Sequence, residues 1–290
     1  MTVPVPPPAP PAPYGSPPAA AYARLTGAYP GLRCTERAPD EPVPRGGGWV
    51  GAAALAAGGA ELDAFLAWDA AQVARDHGRP GRPDVVAGFG LHRYVWPAGL
   101  LFTVPWFLDR RVPRIPAEQV AFHRTDGVLS IRTDGFACLP DDPAAGLPGA
   151  RVVPDEEALR AELRAASAAH LTPVVEGFAT RMRRGPRALW GMVTDDLVEG
   201  LWYLAGLFGE AEERRARAEL ALLLPGSGTA PYPGGGAFRT LAGPDGSALP
   251  TRDRVSCCFF YTVRPEDTCL TCPRTCDADR ITRLAAAAAA

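Results

Sequence analysis

The chain is expected to fold as α+β: an antiparallel β meander with an early helix, a C-terminal helical layer and a cysteine-rich tail. Three patterns in its 290 residues carry that expectation. Leu62, Phe65, Leu66 and Val73 recur at helical spacing between Ala60 and His77, which marks an amphipathic helix. Two copies of Thr-Asp-Gly then separate short branched and aromatic runs, the signal of antiparallel strands joined by tight turns. After Pro154 the strand signals stop and periodic helical stretches take over.

The elements follow in order. Residues 1 to about 20 hold nine prolines in their first eighteen positions, and proline withholds the backbone donors that helices and sheets need, so a solvated tail is expected there. Val85 to Trp96 and Gly99 to Val104, rich in branched and aromatic residues, read as the start of the sheet region, about 85–140. Ala121 to Arg124, Val128 to Arg132 and Phe136 to Leu139 continue it. Asp155-Glu156-Glu157 places acidic residues at a helix start, where they suit the dipole, and this helix is expected to break at Leu171-Thr172-Pro173. Further helices are expected over about 173–184, 187–206 and 210–224, within a helical region of about 155–224. Residues 225–250, dense in Gly, Pro and Ser, read as a loop, and the terminal alanines 285–290 as a frayed end. Residues 21–284 form one domain in this reading.

Composition excludes several chemistries. All thirty basic residues are arginine, so a P-loop lysine, a Schiff-base lysine and a lysine general base are ruled out. The formal charge of −2, with the arginines spread along the chain, leaves no basic footprint for nucleic acid. No run of about eighteen apolar residues suits a membrane span, and the proline-rich start is no secretory signal. A cytoplasmic location is therefore expected. There thiols stay reduced, which favours metal ligation over disulfides for clustered cysteines.

Five of the seven cysteines fall within residues 257–276, as Cys257-Cys258, ten residues, Cys269-Leu270-Thr271-Cys272, and Cys276. An adjacent pair followed by C-x-x-C offers four thiolates in a short segment, which suits either one zinc ion or one iron-sulfur cluster. Cys258, Cys269, Cys272 and Cys276 make a rival set of four. Cys34 and Cys138 lie far from this group and read as small apolar residues, Cys138 in a strand. The four histidines, His77, His92, His123 and His170, show no ligand spacing, and Gly88-Phe89-Gly90 lacks the third glycine of a dinucleotide loop. Trp190 and Trp202 read as core. Arg252, Arg254, Arg264 and Arg274 surround the cysteines in sequence, either offsetting cluster charge or as solvated arginines balanced by Asp253, Glu266 and Asp267.

The stretch Arg254-Val255-Ser256-Cys257-Cys258-x10-Cys269-x-x-Cys272 resembles the C-terminal signature of the FhuF-like ferric siderophore reductases. Phe259-Phe260-Tyr261 resembles the apolar run after the family's cysteine pair, and Leu189-Trp190-Gly191-Met192 its upstream Trp-Gly helix start. Met192 and Asp195-Asp196 depart from the family, which has a small polar residue and a more apolar stretch there. The resemblance implies a [2Fe-2S] cluster held in segment 252–276 by Cys257, Cys258, Cys269 and Cys272, with Cys276 as alternate ligand. It also implies one-electron reduction of Fe(III) to Fe(II) in a ferric siderophore of hydroxamate type. The electron donor would be a ferredoxin or an NAD(P)H-dependent reductase, and a siderophore-sized groove would lie between sheet and helices. The alternatives are a zinc-binding structural or regulatory protein, or a ferredoxin-like electron carrier. No nucleic-acid partner and no integral membrane segment are expected.

Overall fold

A computed structural model describes residues 15–226, 229–266 and 268–288. Its elements come in runs of helices and runs of strands, as α+β implies: α1 (Ala19–Ala28), β1 (Arg33–Glu36), β2 (Trp49–Gly51), α2 (Ala52–Ala57), α3 (Ala60–His77), α4 (Pro83–Asp109), β3 (Arg111–Pro113), β4 (Val120–His123), β5 (Val128–Ile131), β6 (Phe136–Cys138) and β7 (Ala150–Val152). Then come α5 (Glu156–Ala179), α6 (Pro186–Leu207), α7 (Glu210–Leu223), the strands β8 (Phe238–Ala242) and β9 (Ala248–Arg252), and α8 (Asp277–Ala288). Most of the expected proline-rich tail lies outside the described residues, but α1 already begins at Ala19, inside it.

The main correction concerns α4. Val85 to Val104, expected as strands, is one continuous helix through Pro97 and Pro105. Its apolar residues show no one-sided pattern because it is buried on nearly every side, between α3, α5 and α6. A helix wrapped by neighbours loses the periodicity that identifies surface helices, and branched runs then mimic strands. The glycines of this segment serve close packing. A Cβ on Gly90 would sit 2.7 Å from Leu66 Cδ2, and one on Gly99 would sit 2.7 Å from Leu197 Cδ2, so α3 and α6 approach α4 where side chains are missing. That accounts for Gly88-Phe89-Gly90 without any nucleotide.

The sheets are small and are not a simple meander. The four-stranded sheet runs β1-β5-β4-β2, with β4 and β5 antiparallel across the first Thr-Asp-Gly, where Gly127 takes φ +61°. Strand β1 joins β5 in parallel. The second Thr-Asp-Gly makes no hairpin: β6 leaves for a separate sheet, β3-β6-β7, pairing antiparallel with β3 and parallel with β7. Cys138 is buried in β6 as expected, and Cys34 sits half-buried in β1 against the core.

Helix α5 starts where Asp155 caps it, its carboxylate accepting the Ala158 N–H at 2.8 Å. It passes through Pro173 instead of breaking there. Leu171, Val174, Val175 and Phe178 are buried on both sides of the proline, and that burial outweighs the lost hydrogen bond. The Gly- and Pro-rich stretch before the cysteines is not all loop: β8 and β9 form an antiparallel hairpin that leads into the tail. The terminal alanines extend α8 as far as Ala288. No helix among the described residues is long and apolar enough to cross a membrane.

Candidate metal centre and its adjoining cavity

The cysteine tail is held onto α6 by two carboxylates one turn apart, Asp195 and Glu199. Asp195 is fully buried and its Oδ1 accepts the Val255 N–H at 2.9 Å and Arg252 Nη2–H at 2.7 Å, while Oδ2 accepts the Ser256 N–H at 2.8 Å. Glu199 Oε1 accepts Arg252 Nη1–H at 3.2 Å and the Thr271 hydroxyl at 2.5 Å, so it anchors the C-x-x-C turn as well. Burial pushes the Asp195 carboxyl above its usual range, against the pull of Arg252 and Arg254. Gly191 makes room for the tail, since a Cβ there would stand 3.1 Å from both Val255 Cγ1 and Ser256 Cβ.

Two further arginines complete the frame. Arg254 reaches 3.7 Å from Cys269 Sγ with Nη1 and lies 3.5 and 3.6 Å from the Asp195 and Glu199 carboxylates. Although burial works against its charge, Glu199 and Asp195 keep its pKa well above the ordinary value. Arg280, from α8, donates to the carbonyls of Cys272 at 3.0 Å and Arg252 at 3.2 Å. Arg252 and Arg254 are thus buried fixtures of the site, whereas Arg264 pairs with Glu266 and Arg274 stacks on Tyr261.

The thiols of Cys257, Cys258, Cys269 and Cys272 are gathered closely enough to feel one another's charge. Cys258 and Cys269 share a hydrogen bond, which lowers the Cys258 thiol to about 6 and raises Cys269 well above its ordinary value. Burial raises Cys257, offset in part by the Phe259 N–H that donates to its sulfur at 3.4 Å. Cys276 stands apart: it is exposed and bonds Asp279 Oδ2 at 3.2 Å. Among the described residues no group of three or more His, Cys, Asp or Glu side chains stands ready to hold a metal ion, so the tail offers gathered thiols, not a closed cage. The donor chemistry fits a thiolate-ligated cluster, with one thiol poised to lose its proton and guanidinium groups beside the sulfurs to balance the charge.

Cys258 and Cys269 also border a cavity of about 670 Å³. Its walls combine aromatic rings, among them Trp68, Phe89, Trp96 and Phe260, with the charged groups of His92, Arg93, Arg124, Arg254 and Glu199. His92 Nδ1 lies 2.5 Å from Asp196 Oδ1, and that carboxylate raises the imidazole pKa. Sequence reasoning passed over His92, Asp195 and Asp196. The two carboxylates appeared only as a polar departure from an apolar stretch, and that departure was the available signal: adjacent charges inside an otherwise apolar helix need buried partners. Trp190 is core as expected, while the tryptophans on the cavity wall are Trp68 and Trp96.

A thiolate-rich tail docked on a helix and bordering a pocket defines a thiolate metal site, open by its donors to zinc or to an iron-sulfur cluster. Residues 254–274 match the FhuF 2Fe-2S C-terminal domain, a stretch that includes Cys257, Cys258, Cys269 and Cys272 and ends before Cys276. The tail is therefore a FhuF-type [2Fe-2S] segment, and its cofactor is a [2Fe-2S] cluster. No curated protein matches the chain.

Proposed function

We propose that this protein is a cytoplasmic ferric siderophore reductase that passes one electron to chelated Fe(III) and so releases Fe(II). The observation that carries the proposal is the shared boundary of the cavity and the thiols: Cys258 and Cys269 line the same space that a chelate of siderophore size would enter. Cys257, Cys258, Cys269 and Cys272 would hold the cluster, with Cys276 as the spare thiol.

When bound, a [2Fe-2S] cluster supplies a one-electron carrier whose potential follows its charge, hydrogen bonds and exposure. The protein's residues do the remaining work. Asp195 and Glu199 fix the tail with Cys258 and Cys269 bordering the cavity. Arg254, beside Cys269 Sγ, offers a positive charge that stabilises the more negative, reduced state. The aromatic wall offers apolar surface to a bound chelate. Fe(III) is held by hard anionic oxygens, and adding an electron lowers its charge and loosens that hold. Electrons would come from a ferredoxin or an NAD(P)H-dependent reductase, since the residues show no dinucleotide loop.

The test is anaerobic. Reduced protein mixed with a ferric hydroxamate and a ferrous trap should deliver one Fe(II) per cluster while its visible spectrum returns to the oxidised form. A cluster that stays reduced with hydroxamate, catecholate and citrate complexes alike would refute the reductase reading and leave electron carriage. Colourless protein that contains zinc would refute the cofactor.

A further inference from the structure

The cavity wall made by α3, α4 and the β4–β5 turn carries a charge arrangement that the cluster does not explain. Asp69 on α3 has no exposed surface and binds two guanidinium groups, Arg93 Nε at 2.8 Å and Arg124 Nη2 at 3.1 Å. One buried carboxylate under two arginines leaves a net positive patch. Both cations are held in place by aromatic faces. The Arg124 guanidinium lies 3.4 Å from the Phe65 ring centre and 4.3 Å from that of Trp68, and Arg93 lies 5.7 Å from Trp68 on the same ring system. Arg124 Nη1 further donates to the Phe65 carbonyl at 3.3 Å. Stacking of this kind fixes a cation without neutralising it.

The other charges on the wall are already spent. Glu199 is engaged by Arg252 and Thr271, Arg254 faces Asp195, Glu199 and Cys269, and His92 is held by Asp196. Among the side chains of the wall, the Arg93–Arg124 pair is therefore where positive charge exceeds negative, set against the negative charge that the cluster would bring to the part of the cavity bordered by Cys258 and Cys269. A neutral or cationic ligand has no use for that excess, whereas an anion placed in a largely apolar pocket gains from it because aromatic walls screen charge poorly.

We propose that the cavity selects ferric chelates carrying net negative charge and that Arg93 and Arg124 make the selection. The inference rests on the reading of this cavity as a siderophore site and narrows it. It is compatible with hydroxamate coordination, because a hydroxamate siderophore with a free carboxylate satisfies both.

One scaffold tests charge alone. A linear trihydroxamate with a single terminal amine is used with that amine free, acetylated or succinylated, so its trivalent-metal complex is cationic, neutral or anionic with the same coordination shell. Loaded with gallium(III), which is not reduced, the three complexes are titrated into the cluster-containing full chain and followed by tryptophan fluorescence. Affinity should rise about fivefold for each step toward negative charge, the size expected for charges roughly 8 Å apart at an effective dielectric of roughly 40. The differences should shrink with added salt. Arg93→Gln should flatten the series by removing the excess charge and leaving Arg124 to balance Asp69. Arg214→Gln, on the exposed face of α7, should leave it intact. A flat or reversed series in the unaltered protein, or no binding by any of the three, would overturn the proposal. Because gallium binding needs no electron transfer, a failed reductase assay would leave this result standing, and a working reductase with a flat series would refute the selection alone.

Discussion

Removing the Asp195 carboxylate is the sharpest test of how the tail is held. In Asp195→Ala, Arg252 stays fully buried but loses its 2.7 Å partner, and the amides of Val255 and Ser256 lose their acceptor. A buried charge left without any partner costs about 3–5 kcal/mol, an upper bound here because Glu199 still lies 3.2 Å from Arg252, and each orphaned buried amide adds about 1–3 kcal/mol where it cannot reach water. Such a total rivals the whole stability of many domains, about 5–15 kcal/mol. The tail has a cheaper way out, because lifting off α6 returns Arg252 and both amides to solvent at the expense of the thiol arrangement. The expected outcome is a protein with near-native helix content that binds less than about a tenth of the normal iron after anaerobic reconstitution with iron and sulfide, as a detached state favoured by more than about 1.4 kcal/mol implies. Asp195→Asn keeps one acceptor oxygen and should hold an intermediate amount. Iron and sulfide analysis, visible absorption and far-ultraviolet circular dichroism read the result. An Asp195→Ala protein with full iron content and unchanged thermal unfolding would refute the account of Asp195 as the clasp.

Other consequences are equally direct. Cys276→Ser should leave iron content and the visible spectrum unchanged, whereas Ser at Cys257, Cys258, Cys269 or Cys272 should lose or distort the cluster; a normal cluster in Cys257→Ser with loss in Cys276→Ser would instead select the rival ligand set. Arg254→Gln should lower the reduction potential, on the order of tens of millivolts, by removing the cation beside Cys269 Sγ, and redox titration checks the sign. His170 sets an acid limit on stability. The Ile115 carbonyl can only accept from Nδ1, so the Tyr94 hydroxyl donates to Nε2 and the ring is neutral, and burial lowers its pKa to about 4. A base whose folded pKa lies below its unfolded value gives stability that is complete above the unfolded pKa, about 6.5, and is lost as pH falls toward 4. The span implies about 3 kcal/mol. Urea unfolding should show about 2 kcal/mol of this loss between pH 7 and pH 5 in the unaltered protein and a flatter response in His170→Gln; equal stability at both pH values would contradict it.

The elements legible in the sequence were those with local causes. The helix at Ala60–His77 follows from one-sided apolar spacing, the β4–β5 hairpin from a glycine that accepts positive φ, and the cysteine motif from ligand spacing within one short segment. The same locality made the cofactor readable, since four thiolates and their turn lie in one stretch of chain. Helix α4 and the passage of α5 through Pro173 were decided by tertiary burial, which erased the periodicity of the first and outweighed the proline of the second. Strand partners were decided at a distance too, because β1 reaches β5 in parallel and β6 leaves for another sheet. The same holds for the site beyond its sulfurs. Asp195 meets Val255 across sixty residues, His92 meets Asp196 across 104, and Arg124 meets Asp69 across 55. Ligand spacing is short-range and survives in one dimension. A buried charge reveals its purpose only when folding brings its partner to it, because the cost of dehydrating it is offset by groups drawn from anywhere in the chain.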